Sequence, residues 1–414
     1  MIKKDLVIVG GGAGGLAAAI SAYDNGVKDI LLLEREDHLG GILDQCIHNG
    51  FGLTTFKEEL TGPEYADRFI KELNARHIEY KLLTQVSKIT KNKEVFYSNS
   101  EDGFVKVQAK AIILATGSYE RTPGAIMVPG DRCSGITTAG TAQKILNTTG
   151  HLVGKKIVIL GSGDIGLIMA RRLTLEGAKV ICVAEIMPFS NGLNRNIVQC
   201  LQDFNIPLYL STTVSNVIGK GRVEKVELSS VDENLKVIPG TSREIECDCL
   251  ILSVGLLPQT TLLEEMGGVK FERNRGPSVD NKFELQIPGI FTCGNCLHVH
   301  DLVDFVSQEG TAAGQSAAEY LAKNGKEEGE KIPVTAGGLM GYVVPNFVEK
   351  NANVLNFKFR VRKPTEKAFL YIKQGDRLLK KQVLTLLLPS IMVEGKVNLD
   401  NLTDEPIEMR VEYE

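Results

Sequence analysis

The sequence lacks a surplus of either charge. Lysine and arginine number 47 and aspartate and glutamate 51, for a formal net charge of −4. Proteins that bind nucleic acid backbones or anionic lipid by charge need a basic surplus, so the composition argues against both partner classes. At 414 residues with 43% hydrophobic and 24% charged residues, the chain can still form two or three globular domains.

Long uninterrupted apolar segments are also missing. Glycines interrupt the stretch 7–20, and Thr385, Pro389 and Ser390 interrupt 383–393, so neither is suited to span a bilayer. The N-terminus has no apolar core of a signal peptide before the first predicted strand. Eight cysteines without the spacing of a disulfide scaffold fit a reducing compartment. We therefore expect a cytoplasmic protein without direct membrane insertion.

Two segments have the pattern strand, glycine-rich turn, helix, strand, which makes a complete βαβ unit. The first is predicted with a strand at 6–9, a turn at 10–15, a helix at 17–25 and a strand at 30–34. The second has a strand at 157–160, a turn at 161–166, a helix at 167–176 and a strand at 179–185. The internal repeat predicts two domains of one type.

Short antiparallel strands and further buried strands follow each unit. After the first unit we predict strands at 86–89, 94–97, 104–107 and 111–115, and after the second a meander at 212–229 and a strand at 249–253. A strand at 289–294, a helix at about 302–323 and a polar linker at 323–331 come next. Alternation of apolar and polar residues at 355–361 and 407–413 predicts a C-terminal β-rich module.

Each glycine-rich turn carries the spacing of a dinucleotide-binding fingerprint. The glycines are Gly10, Gly12 and Gly15 in the first turn and Gly161, Gly163 and Gly166 in the second. Glu34 and Glu185 each follow the last glycine by 19 residues, at the end of the next strand, where a carboxylate accepts hydrogen bonds from a ribose. A lone fingerprint is a weak signal, and the alternative is two glycine turns without ligands. Two complete fingerprints favour two nucleotide sites.

Glu185 also bears on the choice of nicotinamide cofactor. A carboxylate at this position accepts hydrogen bonds from a 2′-hydroxyl and repels a 2′-phosphate. Arg171, Arg172 and Arg195 lie elsewhere in the sequence and do not replace it. The sequence predicts NAD(H) rather than NADP(H).

These motifs give the chain, over about residues 1–325, a resemblance to the pyridine-nucleotide-dependent FAD oxidoreductases with two nested dinucleotide-binding domains. The shared motifs include 114–117, 253–258 and 289–295, although Asn295 stands where the family usually has an aspartate. The resemblance implies an α/β fold with two nested Rossmann-like domains, for FAD and NAD, and a small C-terminal β-rich module. The implied domains are an FAD-binding domain in two segments, 1–118 and 249–325, an inserted NAD(H)-binding domain, 119–248, and the module, 331–414.

The same resemblance implies the cofactor contacts. For FAD these are Gly10, Gly12, Gly14, Gly15, Glu34, Arg35, Gly41, Val86, Ala115, Thr116, Gly117, Gly294 and Asn295. For NAD(H) they are Gly161, Gly163, Asp164, Ile165, Gly166, Glu185 and Gly255. No metal ligand set is predicted.

A closer resemblance is to the FAD/NAD-binding oxidoreductases that accompany an FAD-dependent glycerol-3-phosphate dehydrogenase, often with a small cysteine-containing protein. Residues 40–52 and 293–304 and the β-rich C-terminal segment suggest it. It implies a second flavoprotein dehydrogenase subunit as a partner and a small cysteine-containing protein as another.

The cysteines do not form the redox pair of a disulfide reductase. Cys46 and Cys133 each lack a second cysteine nearby in sequence, and Cys293 with Cys296 has C-x-x-C spacing inside the FAD motif, where packing is the favoured interpretation over redox or metal chemistry. Cys247 and Cys249 are predicted to lie on one face of a strand, in the core.

Two histidines follow the FAD motif. His298 and His300 are two residues apart and could share a face as metal ligands, but no third ligand is apparent, and a position at the flavin edge is favoured. No catalytic residue is assigned, and Cys46, His48 and His300 are candidates for the flavin edge. Hydride transfer between nicotinamide and flavin is cofactor chemistry.

Three functions follow from these observations. The first is an NAD(H)- and FAD-dependent oxidoreductase subunit that works with a partner dehydrogenase. The second is a stand-alone NADH oxidase or NADH:acceptor reductase. The third, a non-catalytic nucleotide-binding subunit, is disfavoured because both fingerprints keep their glycines and acidic residues.

Overall fold

A computed structural model describes residues 2–325 and 329–413. The chain divides into two compact units, one formed by residues 1–118 and 258–414 and the other by residues 119–257. The predicted linker 323–331 lies partly outside the described residues, since 326–328 are not described. No helix in the described part of the chain is both long enough and apolar enough to cross a membrane.

The first segment of unit 1 contains the first predicted βαβ unit. Its strands are β1 Ile2–Val9, β2 Ile30–Leu33, β3 Asn49–Phe51, β4 Leu60–Thr61, β5 Glu79–Lys81, β6 Gln85–Ile89, β7 Glu94–Asn99, β8 Gly103–Leu114 and β9 Ser118–Glu120, the last of which crosses into unit 2. Its helices are α1 Ala13–Asp24 and α2 Gly62–Ala75, with a short 3-10 helix at Gly41–Gln45.

Two local predictions for this segment are corrected. Helix α1 begins at Ala13, so Gly14 and Gly15 belong to its first turn and not to the loop before it. The strands predicted at 104–107 and 111–115 are one continuous strand, β8, whose first part pairs with β7 and whose last part pairs with β1.

Unit 2 contains the second βαβ unit. Its strands are β10 Ile136–Thr138, β11 Lys156–Leu160, β12 Lys179–Ala184, β13 Leu208–Tyr209, β14 Thr212–Gly219, β15 Val223–Ser230, β16 Arg243–Glu246, β17 Cys249–Leu252 and β18 Leu256–Pro258, the last of which crosses into unit 1. Its helices are α3 Ala139–Thr149, α4 Asp164–Leu175 and α5 Asn194–Cys200, with a 3-10 helix at Gln202–Phe204.

The predicted boundary between residues 248 and 249 is wrong. Strand β17 is a parallel neighbour of both β10 and β11 in the five-stranded sheet β10-β17-β11-β12-β13. Its backbone hydrogen bonds therefore lie inside unit 2, and the chain returns to unit 1 only at residue 258. The shared motif 253–258 follows this strand and ends where the chain returns to unit 1.

The second segment of unit 1 completes the first sheet and adds the β-rich module. It contains α6 Thr261–Met266, β19 Ile290–Thr292, a 3-10 helix at Gly294–Cys296, α7 Val303–Ala322, β20 Lys331–Gly338, β21 Met340–Val344, β22 Phe347–Glu349, β23 Val354–Val361, β24 Thr365–Gln374, β25 Arg377–Leu387, β26 Val393–Asn398 and β27 Ile407–Glu412. Helix α7 is within one residue of its predicted bounds at each end.

The main sheet of unit 1 has the order β5-β2-β1-β8-β7-β6, and β19 also pairs with β8. Because β1, β8 and β19 run parallel, with Val9 and Thr292 both in register with Leu114, their carboxyl ends meet at one edge of the sheet. Such an edge is where open α/β sheets bind ligands.

Glycines let helices α1 and α7 pack closely beneath this edge. A Cβ at Gly310 would lie 2.2 Å from the carbonyl oxygen of Gly14, and one at Gly314 would lie 2.3 Å from that of Ala18. The helix after β19 is thereby held against the helix that follows the first glycine turn.

The predicted β-rich module is confirmed. Sheets β22-β20-β27-β24-β25 and β21-β23-β26 enclose one apolar core, to which Phe357, Phe359 and Ile372 contribute buried side chains. Every second residue of β23 is buried, and the residues between are exposed or partly exposed, as the sequence pattern predicts.

Candidate functional site

The first glycine turn connects β1 to α1, and steric contacts explain two of its glycines. Gly10 has a φ of +105°, and a Cβ there would lie 2.4 Å from the carbonyl oxygen of Ala115. A Cβ at Gly15 would lie 1.9 Å from the carbonyl oxygen of Gly10. Any side chain at either position would therefore displace backbone.

Gly12 has a different reason to be glycine. It is the N-cap of α1 with no side-chain cap, and no heavy atom of the described residues lies within 4 Å of a Cβ built on it. The space in front of a helix N-terminus is open, and the uncapped N–H groups there carry partial positive charge. This cradle fits a pyrophosphate, which is the part of FAD predicted to lie here.

Glu34 is buried at the end of β2, where it braces the turn. Its Oε2 accepts a hydrogen bond of 2.6 Å from the backbone N–H of Gly11, and its Oε1 accepts one of 2.9 Å from the N–H of Glu36. A carboxylate has about four acceptor sites, so lone pairs remain for ribose hydroxyls.

The second turn repeats this geometry in unit 2. Gly161 has a φ of +97°, and a Cβ on it would lie 2.1 Å from the carbonyl oxygen of Ser253. Glu185 is also buried, and its Oε2 accepts from the N–H of Ser162 at 2.9 Å while its Oε1 accepts from the N–H of Met187 at 2.9 Å. The second fingerprint is therefore a second structural copy of the first.

Other predicted NAD(H) residues have structural partners of their own. Asp164 Oδ1 accepts from the N–H of Leu193 at 2.8 Å and from Asn196 Nδ2 at 2.7 Å, so this carboxylate holds helix α5. The N–H of Gly166 donates to Ser253 Oγ at 3.1 Å. Ile165 is half-buried on α4, and Gly255 has a φ of +101°.

The predicted FAD segments converge on one edge of the unit 1 sheet. Gly41 lies beside the first turn, since a Cβ on it would be 3.2 Å from Gly12 Cα. Ala115 continues from β8 into Thr116, whose hydroxyl donates to the carbonyl of Gln259 at 2.8 Å, and then into Gly117. Gly294 follows β19, next to α7.

Two predicted FAD residues do not converge in this way. The Arg35 side chain is largely exposed and lies 3.5 Å from Glu36, and Val86 is buried in the apolar core on β6. Their proposed cofactor contacts remain predictions.

No disulfide joins the eight cysteines, all of which lie in the described part of the chain, and seven of them are buried. Burial raises the pKa of Cys46 to about 12, so its thiol is protonated at neutral pH and is a poor nucleophile. Burial also raises the pKa values of Cys293 and Cys296, and the Cys296 thiol donates to the carbonyl oxygen of Leu114 at 3.1 Å. This geometry supports the packing interpretation of the C-x-x-C segment.

The prediction that Cys247 and Cys249 share one face of a strand is wrong. Cys247 precedes β17 and packs in the cluster that contains Val158 and Cys182, whereas Cys249 packs in the cluster that contains Ile157 and Ile159. The chain passes from one side of the sheet to the other between them.

His298 and His300 have a common partner that the sequence did not reveal. Glu309 Oε1 lies 2.9 Å from His298 Nε2, and Glu309 Oε2 lies 3.0 Å from His300 Nε2. The three side chains are fully buried. The expectation that no third group joins the histidine pair is therefore wrong, because α7 brings the Glu309 carboxylate within hydrogen-bonding distance of both rings. The sequence offers one signal for this contact: Gly310, next to Glu309, is a glycine inside a helix, and it packs on α1.

The remaining flavin-edge candidates lie apart from this cluster in the sequence. His48 is half-buried with its ring centroid 5.0 Å from that of Phe51, and Cys46 donates to the carbonyl of Ile42 at 3.2 Å. Asn295 Oδ1 accepts from the backbone N–H of His300 at 3.0 Å, which ties the end of the FAD motif to the histidine cluster.

Comparison with known proteins places these features in a family. Residues 4–317 match the model of the family described as pyridine nucleotide-disulphide oxidoreductase. A dihydrolipoyl dehydrogenase of Manduca sexta is 28% identical over 74% of this chain and 66% of its own length. An NADH oxidase of Streptococcus pneumoniae is 26% identical over 72% of this chain and 65% of its own length. The chain thus spans just under two thirds of these relatives.

A solved structure shows the same fold. The thioredoxin reductase of T. acidophilum covers 78% of this chain and 100% of its own chain, with a TM-score of 0.64 and 24% identity. The family match and this likeness confirm the predicted mixed α/β fold with Rossmann-like domains. Members of the family are enzymes that use FAD and NAD(P)H, so the predicted enzyme and cofactor classes are also confirmed.

Proposed function

Because the chain belongs to the pyridine nucleotide-disulphide oxidoreductase family, we propose that it transfers electrons between NAD(H) and FAD and exchanges them with an acceptor that is not a disulfide. The observation that carries the proposal is the matched pair of glycine turns. In each turn a buried glutamate accepts hydrogen bonds from two backbone N–H groups at equivalent positions. Each of the two sites binds one nucleotide cofactor.

The second site supports NAD(H) over NADP(H). The Glu185 carboxylate lies at the end of β12, held by Ser162 and Met187, and its charge opposes a 2′-phosphate. FAD is assigned to the first site because three segments that carry the family's FAD motifs meet there.

The cysteines support the exclusion of a disulfide acceptor. A disulfide reductase needs two accessible thiols beside the flavin, one of them a thiolate. Cys293 and Cys296 are fully buried with raised pKa values, and the pKa of Cys46 is about 12. Electrons therefore leave the flavin for oxygen, a small acceptor or another protein.

The experiment is anaerobic reduction of the purified protein. FAD should copurify and give a yellow protein, and NADH should bleach the flavin absorbance faster than NADPH does. Glu185→Gln is the informative variant and Glu176→Gln, on the last turn before β12, is the matched control. A folded, colourless protein that cannot be reconstituted with FAD, or faster bleaching by NADPH, contradicts the proposal.

The proposed partner is a glycerol-3-phosphate dehydrogenase-like flavoprotein subunit, with a small cysteine-containing protein as the third component, in the cytoplasm. Support comes from the resemblance of residues 40–52 and 293–304 and from the β-rich module, whose surface neither glycine turn requires. The isolated chain should reduce artificial dyes with NADH but should not oxidise glycerol 3-phosphate. A tagged copy that captures no second flavoprotein from the native host contradicts the partnership.

A stand-alone NADH oxidase or NADH:acceptor reductase is the second candidate. It is favoured by the 26% identity to the NADH oxidase of S. pneumoniae. Oxygen consumption separates the oxidase from the partnered subunit. A stand-alone oxidase consumes one O2 per NADH if it forms hydrogen peroxide, or one O2 per two NADH if it forms water, without any added protein or dye. Slow NADH oxidation that a partner protein accelerates supports the first proposal, whereas acceleration by a small acceptor alone supports an NADH:acceptor reductase.

A further inference from the structure

The two buried glutamates of the glycine turns differ in how many hydrogen bonds they accept. Within the described part of the chain, the Glu34 carboxylate accepts two, both from backbone N–H groups. The Glu185 carboxylate accepts a third, because Ser162 donates to its Oε2 from the hydroxyl at 2.6 Å as well as from the N–H at 2.9 Å. Both acceptor sites of Oε2 are thereby occupied. With the N–H of Met187 on Oε1, the described residues leave one acceptor site for a ligand.

The orientation of the Ser162 hydroxyl follows from its two partners. The backbone N–H of Asn191 lies 2.9 Å from Oγ and can only donate, so Oγ accepts from it. A carboxylate can only accept, so the hydroxyl proton points to Glu185. Ser162 is fully buried, and solvent therefore does not compete for either bond. One hydroxyl thus joins the end of β12 to the loop between β12 and α5.

That loop is fastened to the second glycine turn at further points. Asp164 Oδ1 accepts from the N–H of Leu193 at 2.8 Å. A Cβ on Gly192 would lie 2.8 Å from the carbonyl oxygen of Ser162, so the loop backbone lies directly against the turn. The Ser162 hydroxyl is part of this contact and connects it to the carboxylate of Glu185.

The corresponding space in the first turn is filled. Gly11 is the equivalent of Ser162, and a Cβ there would lie 2.7 Å from Leu39 Cδ2 and 3.1 Å from Glu34 Oε2. The loop after β2 is joined to this turn by a backbone hydrogen bond of 2.9 Å, from the N–H of Gly40 to the carbonyl oxygen of Gly11. Of the two turns, only the second therefore uses a side chain to connect its glutamate to the following loop.

The position of the Glu185 charge bears on the discrimination between the two nicotinamide nucleotides. A 2′-hydroxyl donates to the free acceptor site, whereas a 2′-phosphate brings negative charge towards the carboxylate. The phosphate is rejected most strongly when the carboxylate stays in place and the adjoining loop leaves no room beside it. The Ser162 hydroxyl meets both conditions, since it holds Oε2 of Glu185 and the N–H of Asn191 at once.

We propose that Ser162 is a positioning residue for nucleotide specificity. Its hydroxyl fixes the Glu185 carboxylate and the following loop, so that the second site accepts the 2′-hydroxyl of NAD(H) and rejects the 2′-phosphate of NADP(H). The inference rests on the proposed function in that NAD(H) binds at the second site. Ser162 acts through Glu185 and takes no part in hydride transfer.

The test measures the binding of NAD⁺ and NADP⁺ to the purified chain by isothermal titration calorimetry. Ser162→Ala removes the hydroxyl and keeps the Cβ, and the ratio of the NADP⁺ Kd to the NAD⁺ Kd should fall about tenfold in this variant. Ser190→Ala is the matched control and should keep the wild-type ratio. Its hydroxyl accepts from the N–H of Gly192 at 3.3 Å in the same loop and forms no hydrogen bond to Glu185 in the described structure.

A double-mutant cycle tests whether the serine acts through the glutamate. In the Glu185→Gln background, Ser162→Ala should change the ratio by less than about twofold, because the charge that the serine positions is absent. Additive effects of the two substitutions would show that Ser162 acts independently of Glu185 and would overturn the inference.

An unchanged ratio in Ser162→Ala also overturns the inference. If Ser162→Ala does not fold, Ser162→Gly replaces it with the same expected ratio, since it gives the second turn the residue that the first turn has at Gly11. The titration needs no flavin, so a chain that binds no FAD, or whose flavin NADH does not bleach, contradicts the proposed function alone. A wild type that binds NADP⁺ more tightly than NAD⁺ contradicts both.

Discussion

The two glycine turns have one geometry but different supports. In both, a glycine with positive φ follows the strand and a buried glutamate accepts two backbone N–H groups. In the first turn, the atoms nearest to a Cβ on the last fingerprint glycine, Gly15, are backbone atoms of Gly10. In the second turn, the nearest atoms to a Cβ on Gly166 belong to the side chain of Ser253.

The difference shows that one fingerprint can be enforced by contacts of unequal closeness. A Cβ on Gly15 would lie 1.9 Å from the Gly10 carbonyl oxygen, which cannot move without disturbing both β1 and α1, whereas a Cβ on Gly166 would lie 2.6 Å from Ser253 Cβ, so a smaller displacement relieves the second clash. The first turn is additionally held by α7, whose Gly310 packs on Gly14. Substitutions at equivalent positions should therefore have unequal effects.

The largest expected effect is that of Gly15→Ala. Its Cβ would lie 1.9 Å from the Gly10 carbonyl oxygen, so the variant should lose about 3 kcal/mol or more of unfolding free energy and should not retain FAD. Gly166→Ala, with its Cβ 2.6 Å from Ser253 Cβ, should lose less. Urea unfolding followed by circular dichroism and the flavin absorbance measure both effects. Equal losses in the two variants would contradict the difference in the closeness of the two contacts.

The second effect is acid destabilisation of unit 1 through His298. Its folded-state pKa of about 4 lies below its ordinary value of 6.5, so the folded state binds fewer protons and stability falls as pH drops from 6.5 towards 4. The full shift is equivalent to about 3 kcal/mol. His298→Gln should flatten the unfolding free energy over this interval, while His151→Gln, at an exposed site of unit 2, should not. Identical pH profiles for the wild type and His298→Gln would refute the burial effect.

Gly12→Ala should weaken FAD binding without destabilising the fold. Because the added methyl meets open space in the described structure and φ is −79°, stability without cofactor should change little. FAD affinity should fall at least tenfold, or about 1.4 kcal/mol, since the methyl group occupies the cradle at the helix N-terminus. Titration of the apoprotein with FAD measures the loss. Unchanged affinity would place the pyrophosphate elsewhere.

The smallest effects are expected from replacing the two bracing glutamates. Glu34→Gln should lower FAD retention and leave the preference for NADH unchanged, whereas Glu185→Gln should shift the preference towards NADPH, tenfold for each ~1.4 kcal/mol of repulsion removed. Each also weakens one N–H contact of its turn, at about 1 kcal/mol. Stopped-flow reduction rates with both nucleotides measure the preference. A shift caused by Glu34→Gln instead would reverse the assignment of the two sites.

Much of the fold could be predicted because its signals are local. The two βαβ units, the bounds of α7 and the alternation of β23 follow from apolar periodicity and glycine positions. The boundary at 257/258 could not be predicted, because a buried strand such as β17 has the same apolar sequence whichever parallel sheet it joins. The continuity of β8 was missed for a related reason: Gln108 and Lys110 interrupt its apolar run while the backbone continues.

The candidate site likewise combines features that the sequence predicts with features that only the structure shows. By itself the sequence determined the two fingerprints and their glutamates, because each depends on residue types at short, fixed spacings. Only the tertiary structure decided that Glu309 contacts both His298 and His300 and that Lys358 faces the same carboxylate. Hydrogen bonds and charges of this kind join a loop, a helix and a strand of another sheet, and no sequence period specifies which buried side chains will meet.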